Sequence, residues 1–318
     1  MTRPSAPVPD DAGVRRTGLL LALATATISG FSVAVNASAV REFSDPVAFT
    51  TLKNAVAAVI LLGLASVAVP RSGAVLRGLR PRSVAGLLAI GVVGGGIPFI
   101  LFFTGLANAS APAAAVIHKT LFVWVALLAV VLLRERLGGL TLAAIGVLAV
   151  SQLLIQPPSG VRWSGGETLI AAATGLWAIE VIVAKRLLAE VPAAIGAAAR
   201  MGIGLVVLIG FLAVTGRLEG LSALSAAQWG WVALTGTMLA GYVGTWYAAL
   251  RRAPATAVTA VLTVGAPITA LVNLAAVGQV PPLLALAGYG GTLAAAAVIG
   301  WSLLGTRPGG QEPAPSPA

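Results

Sequence analysis

The sequence contains no cysteine and only one histidine, and charged residues make up just 9% of its 318 positions. The missing thiols exclude disulfides, thiolate metal sites and cysteine nucleophiles. The pattern Gly-x-x-x-x-Gly-Lys-Ser/Thr is also absent, so this chain has no P-loop with which to use ATP. The scarcity of charge excludes a water-soluble globule, because too few polar side chains exist to cover its surface.

Apolar residues dominate instead. Hydrophobic side chains account for 58% of the chain, and the mean hydropathy is +0.96. Apolar runs of about 20 residues, the length that spans the hydrocarbon core of a bilayer, recur along nearly the whole sequence. We therefore predict an all-α integral membrane protein with ten transmembrane helices. The ten predicted spans are residues 18–40, 46–69, 84–106, 110–133, 137–155, 166–184, 192–215, 227–249, 254–277 and 282–304.

The distribution of basic residues predicts the orientation of these spans. Fourteen of the twenty lysines and arginines lie in the two tails and in alternate loops, whereas three lie in the opposite loops and three within spans. Loops rich in Lys and Arg remain in the cytoplasm, so both termini are predicted to be cytoplasmic, in the inner or plasma membrane. The net charge of +10 is explained by this orientation, and no nucleic-acid partner is predicted.

A weak internal repeat divides the chain into two halves. Sliding the sequence by 144 positions places Leu106–Ala126 on Leu250–Ala270 and pairs Glu135 with Gln279. We predict two five-helix repeats, residues 17–155 and 156–304, between tails at 1–16 and 305–318. Because five is an odd number, the second repeat must enter the membrane from the opposite face. Inverted repeats are typical of transporters, in which the two halves exchange conformations to open a site to either side.

Three stretches carry a resemblance to a known family. Trp177–Arg186 in the sixth span reads Trp-Ala-Ile-Glu-Val-Ile-Val-Ala-Lys-Arg, Leu133–Leu137 closes the fourth span with Leu-Arg-Glu-Arg-Leu, and Pro267 lies within the ninth. Together with the five-plus-five arrangement, they resemble the EamA family of the drug/metabolite transporter superfamily. This resemblance implies a secondary transporter that exports or takes up small metabolites such as amino acids.

Two ionisable residues are predicted near the membrane midplane. His118 and Lys119 lie about eight residues into the fourth span, which at 1.5 Å per residue is ~12 Å deep. A lysine there costs roughly 2.5–3.5 kcal/mol on insertion scales, so it requires a partner, a water-filled cavity or a function. Lys119 is predicted to bind a substrate carboxylate or to act as a proton site, or else to lock helices by pairing with an acid. His118 is either a proton carrier or a neutral imidazole hydrogen-bonded between helices.

Glu180 is the one acidic residue deep within a predicted span, and it shares a helical face with Trp177. We expect Glu180 to pair with Lys119 or Arg200, because no other buried acid is predicted. The alternative is that its carboxylate reaches the cytoplasmic interface near Lys185.

Lys53 and Arg200 occupy nearly equivalent places in the two halves. They either attract anionic groups to the two mouths of a pathway or extend toward lipid headgroups. Three deep cations against one acid favour a substrate with at least one carboxylate or phosphate.

Polar and aromatic side chains in the spans complete the predicted pathway. Asn36 ends a one-sided polar stripe in the first span. Apolar walls or gates could be formed by Trp124, Trp177, Tyr242 and Trp246. The same residues could equally serve helix packing. Glycine clusters in the third, eighth and ninth spans are predicted hinges, the first of them being Gly94–Gly96.

The sequence therefore favours a secondary transporter of a small metabolite, with efflux preferred over uptake and no cofactor. The alternative class is an integral-membrane enzyme acting on a lipid or prenyl phosphate. Such chemistry needs paired carboxylates for a metal or a nucleophile with its base, and one deep acid supplies neither. The lipid bilayer and a small-molecule substrate are the expected partners, and a homodimer remains open.

Overall fold

The computed structural model describes residues 11–70, 72–109, 111–157, 163–222 and 224–305, and the regular secondary structure of these residues is entirely helical. The α-helices are α1 (Asp11–Ala39), α2 (Pro46–Ala68), α3 (Ser72–Arg77), α4 (Pro81–Ala89), α5 (Ile97–Leu106), α6 (Ala111–Lys119), α7 (Leu121–Leu128), α8 (Gly139–Ile155), α9 (Gly165–Leu187), α10 (Ala193–Val214), α11 (Ala226–Arg252), α12 (Ala255–Leu262), α13 (Gly265–Val277) and α14 (Leu283–Gly305). The predicted tails lie largely outside the described residues.

Eight helical segments of the described chain are long and apolar enough to cross a membrane. They are Ala12–Glu42, Pro46–Ala68, Pro81–Leu106, Ala113–Leu133, Gly165–Leu187, Ala193–Val214, Ala255–Val277 and Leu283–Leu304. The predicted fifth span is apolar but forms a helix of only 17 residues, α8. The predicted eighth span forms the 27-residue α11, in which glycine, threonine and aromatic residues lower the hydropathy. The chain is thus a multi-pass membrane protein.

Three of these segments are interrupted at or near their middle. A π-helical stretch, Ile90–Gly96, separates α4 from α5, where the predicted glycine hinge lies. Breaks at Thr120 and at Thr263–Val264 separate α6 from α7 and α12 from α13. The two breaks fall at nearly equivalent places in the two halves. The predicted eighth span, in contrast, is one continuous helix despite Gly241 and Gly244.

The packing of the helices has matching pairs in the two halves of the chain. Helix α1 packs against α11, and its counterpart α9 packs against α5. Helix α2 packs against α11, as α10 packs against the π-helical stretch. Helix α1 also contacts α12 and α13, and α9 likewise contacts α6 and α7. In the pairs α2–α10 and α8–α14, each helix contacts its own counterpart from the other half. The same contacts are therefore found when the two halves of the chain are exchanged.

Helices α9 and α11 finish at the same end of the bundle with the pairs Lys185–Arg186 and Arg251–Arg252, and we call this end the basic end. Side-chain hydrogen bonds join the helix ends there. The Glu135 carboxylate accepts hydrogen bonds from Ala255 N (2.7 Å), Thr256 N (3.2 Å) and Thr256 Oγ1 (2.7 Å), and so caps the start of α12. Lys185 Nζ donates to the carbonyls of Leu250 (2.6 Å) and Ala253 (2.7 Å) where α11 ends. These contacts, which we call the latch, connect the loop after Leu133 with α12, and α9 with the end of α11.

An ion pair between Arg217 and Asp45 lies at the opposite end of the bundle. Arg217, after α10, forms a bidentate contact with the Asp45 carboxylate, with Nε 2.9 Å from Oδ2. Asp45 also caps α2 by accepting from Val47 N at 2.8 Å. Both side chains are partly exposed, so we expect this pair to contribute only about 0–1 kcal/mol.

Glycine at the π-helical stretch is required for close approach, which gives a first prediction. A Cβ on Gly95 would overlap the carbonyl oxygen of Arg200 and lie 3.1 Å from Gly204 Cα. Gly95→Ala should therefore lower the thermal unfolding midpoint in detergent, at a cost of about 1–3 kcal/mol. Gly175→Ala in α9 is the matched control, because a Cβ there meets nothing within 4 Å. Equal midpoints for the two variants would contradict this account of the packing.

Candidate functional site

A cavity of about 300 Å³, which we call the central cavity, lies among helices from both halves of the chain. Eight of the nine predicted site residues line it: Asn36, Lys53, His118, Trp177, Glu180, Arg200, Tyr242 and Trp246. The ninth, Lys119, lines a second cavity beside it. Lipid disfavours polar side chains, so residues spread over six predicted spans converge on the interior of the bundle.

An ion pair between Glu180 and Arg200 lies on one wall of the central cavity. Arg200 Nε is 3.4 Å from Glu180 Oε1, and the two side chains are 8% and 2% exposed. The Tyr247 hydroxyl donates a hydrogen bond to the same carboxylate oxygen. Of the two partners predicted for Glu180, the structure thus places Arg200 beside it and leaves Lys119 out of ion-pair distance. The other alternative, an interfacial Glu180 near Lys185, is wrong, because the carboxylate is buried and Lys185 belongs to the latch.

The carbonyl of Gly94 joins this ion pair to the aromatic wall. It accepts hydrogen bonds from Arg200 Nη2 and from Trp177 Nε1, each at 3.1 Å. In a regular α-helix this carbonyl would accept from residue 98, but that residue is Pro98, which has no N–H. Since residue 98 cannot donate to it, the Gly94 carbonyl is available to the side chains of Arg200 and Trp177, a role that the Gly-rich sequence with a following proline could have indicated.

Lys53 is buried, and its partners in the described part of the chain are neutral. Its Nζ donates to Asn36 Oδ1 at 3.0 Å and lies 5.3 Å and 5.5 Å from the ring centroids of Phe49 and Phe103. Asn36 in turn donates to the Ser32 carbonyl at 2.7 Å. No carboxylate in the described part of the chain forms an ion pair with Lys53. The side chain points into the bundle, so the predicted alternative of reaching toward headgroups is not what the structure has.

His118 lies in an aromatic wall. Its ring centroid is 5.3 Å from Phe102 and 5.1 Å from Trp177, both in edge-on geometry. Its Nδ1 is buried and has no hydrogen-bond partner among the described residues. On the facing helix α11, Tyr242 and Trp246 stack with centroids 6.2 Å apart. The cavity therefore joins two aromatic surfaces, which suit the apolar body of a small organic molecule.

Sequence reasoning missed two residues of this site, and it included one aromatic residue, Trp124, that does not line the central cavity. Tyr247 and Phe99 were not predicted as site residues, although Tyr247 directly follows Trp246 in the sequence. Trp124 was considered with the aromatic gates, but its side chain is 49% exposed and bonds to its own helix through Thr120. Within the described residues, no cluster of three His, Cys, Asp or Glu side chains could hold a metal ion.

Comparison with known proteins adds two findings to this geometry. The model described as the EamA-like transporter family matches the chain twice, over residues 16–156 and 164–301. A solved structure described as "Crystal structure of protein" matches with a TM-score of 0.70 and 18% identity, over 93% of this chain and 98% of its own. At this identity the likeness establishes the fold alone. No curated protein matches the chain.

Proposed function

Because this chain belongs to the EamA-like transporter family, we propose that it moves a small metabolite with at least one carboxylate across the inner or plasma membrane through the central cavity. The observation that carries this proposal is the buried Lys53, which has no counter-ion in the described part of the chain. A substrate carboxylate would supply one. The aromatic wall around His118 and Trp177 would hold the apolar part of an amino-acid-like or organic acid.

Charge accounting supports an anionic substrate. The positive charge of Arg200 is balanced by Glu180 at 3.4 Å, so the described lining of the central cavity retains one unbalanced cation. A buried lysine costs several kcal/mol unless a charged or polar group compensates it. The single amide oxygen of Asn36 compensates only in part. An unbalanced cation would also repel lipophilic cations.

The transport cycle we propose is alternating access between inverted repeats of five spans each, with α8 and α11 completing ten crossings. A 17-residue helix is ~26 Å long at 1.5 Å per residue, close to the thickness of the hydrocarbon core. With both termini cytoplasmic, the basic end and its latch face the cytoplasm. We favour efflux as the direction, driven by an ion or substrate gradient. The alternative, an enzyme acting on a lipid or prenyl phosphate, is not favoured by the family.

Lys53→Met tests the proposal. With wild-type protein in proteoliposomes, a panel of amino acids, organic acids, nucleosides and cationic dyes should show saturable flux of carboxylates only. The variant should raise the KM for the transported carboxylate about tenfold or more, since a charge-assisted hydrogen bond contributes ~1.5–3 kcal/mol. Its unfolding midpoint should be unchanged or higher, because a buried charge without a counter-ion has been removed.

The control is Arg16→Met, which removes an exposed cation near the start of α1 and should leave KM unchanged. Flux of cationic dyes but not of carboxylates would overturn the substrate class. Conversion of lipid without any flux would support the enzyme instead. Comparing right-side-out with inverted vesicles reports the direction.

A further inference from the structure

The second cavity adjoins the central cavity and is the larger of the two, at about 550 Å³. It lies between α1, α6, α7, α8, α12, α13 and α14. The residues that line both cavities are Ser29, Val33, His118, Leu121 and Leu262. Because these five side chains belong to both linings, the two cavities are direct neighbours, with His118 between them.

Lys119 is the one charged side chain among the described residues that line the second cavity, apart from the imidazole of His118. It is half-buried, and no acid of the described chain forms an ion pair with it. It also has no hydrogen-bond partner among the described residues. The expected pairing of Lys119 with an acid to lock helices is therefore absent from this structure.

The helix dipole at the end of α6 does not compensate for the cost of placing a cation at position 119. Lys119 is the last residue of α6, where the helix dipole favours a cation. That effect is several times weaker than the cost of placing a lysine at this depth in a membrane. The equivalent break in the second half of the chain places Thr263, a neutral residue, against the same cavity. The second half of the chain therefore forms the equivalent helix break without a cation.

Apart from Lys119 and His118, the polar groups among the described residues that line the second cavity are neutral. Gln156, Asn273 and Gln279 contribute amides, and Tyr289 contributes a hydroxyl. Gln279 is the repeat counterpart of Glu135, so an amide stands where the other half carries a carboxylate. With an amide there, the second cavity keeps a net positive charge and several hydrogen-bonding groups.

We propose that the transported metabolite carries two acidic groups, one bound by Lys53 in the central cavity and the other by Lys119 in the second cavity. This inference rests on the proposed function and narrows its substrate class to elongated dicarboxylates. A carboxylate suits a single lysine surrounded by amides. A phosphate more often takes arginine, which bonds it bidentately, and the second cavity has no arginine among its described lining residues.

Matched ligands and three variants test this. The probes are linear dicarboxylates of increasing chain length, each compared with its own monoamide, which has the same length and one charge fewer. Affinity is measured by calorimetry on purified protein. Wild type should bind the best dicarboxylate about tenfold more tightly than its monoamide. Lys119→Met should remove this preference and leave the affinity for the monoamide unchanged, whereas Lys53→Met should weaken both ligands.

Gln279→Glu is the third variant, which adds a charge and deletes no atom needed for packing. It should remove the dicarboxylate preference as Lys119→Met does. Equal affinity of wild type for the two ligands, or an equal loss of both in Lys119→Met, would overturn the second site while leaving the proposed function intact. No binding of either ligand to wild type would overturn the dicarboxylate inference, whereas the flux panel decides the proposed function separately. Preference for a phosphorylated monoacid over the dicarboxylate would reject the substrate class.

Discussion

Arg200→Met should abolish transport and destabilise the protein by about 3–5 kcal/mol, the usual result of leaving a buried charge without its partner. Glu180 is 2% exposed and would retain only its hydrogen bond from Tyr247. The Gly94 carbonyl would also lose one of its two donors. Arg200→Lys keeps the charge but not the second contact, so it should lie between wild type and Arg200→Met.

The double variant Glu180→Gln/Arg200→Met separates stability from transport. Removing both charges leaves no buried ion from this pair, so the unfolding midpoint should recover to within about 1 kcal/mol of wild type. Transport should not recover if the pair contacts the substrate or changes partner during the cycle. Thermal unfolding in detergent and flux in proteoliposomes provide the two readouts.

Arg217→Met is the control for the loss of an arginine from an ion pair. Its partner Asp45 lies at the end of the bundle, with side chains 39% and 16% exposed, so the change should cost at most about 1 kcal/mol.

If Glu180→Gln and Arg200→Met were additive, with no recovery in the double variant, the two residues would not act as a pair.

Much of the site follows from one physical rule that sequence alone can apply. Polar and charged side chains within apolar spans must face the interior, because lipid cannot solvate them. Their depth follows from counting residues along each span, since a helix rises 1.5 Å per residue. These two facts predict that Asn36, Lys53, His118, Glu180 and Arg200 face the interior of the bundle, and all five line the central cavity.

The rule does not predict how far each helix is rotated about its own axis, or how neighbouring helices are shifted along one another. The choice of Arg200 over Lys119 as the partner of Glu180 depends on how far α9 is rotated toward α10. The same lack of information explains Trp124, which lies at a suitable depth but faces outward.

Backbone irregularity was only half predictable. The Gly94–Gly96 run indicated a hinge in the third span, and the structure has a π-helical stretch there. The break at Thr120 has no glycine or proline within it and was not predicted. Gly241 and Gly244, in contrast, lie in an unbroken helix, because glycine permits a break without imposing one.

Glu135 shows why a motif can be recognised when its role cannot. The stretch Leu133–Leu137 carried part of the family resemblance, yet nothing in it indicates that its carboxylate caps α12, a helix 120 residues later in the chain. The helical stretch ends just before it at Arg134, whose φ of 56° is left-handed. That tertiary contact makes Glu135 the centre of the latch, and the transport cycle predicts that it must break.

Opening of the latch is best measured with a cysteine probe, because the natural chain has no cysteine. Val181→Cys places a thiol at the central cavity, where the native side chain is 2% exposed. A membrane-impermeant maleimide then reports access from either side. In the otherwise wild-type background, labelling from the basic end should be slow.

Glu135→Gln in that background should increase labelling from the basic end about tenfold. The carboxylate makes three hydrogen bonds to the start of α12, and losing a charged helix cap costs about 1–2 kcal/mol, a factor of roughly 5–30 in the gate equilibrium. Glu42→Gln, an exposed acid at the opposite end, should have no such effect. Unchanged labelling would show that the latch does not hold the basic end closed.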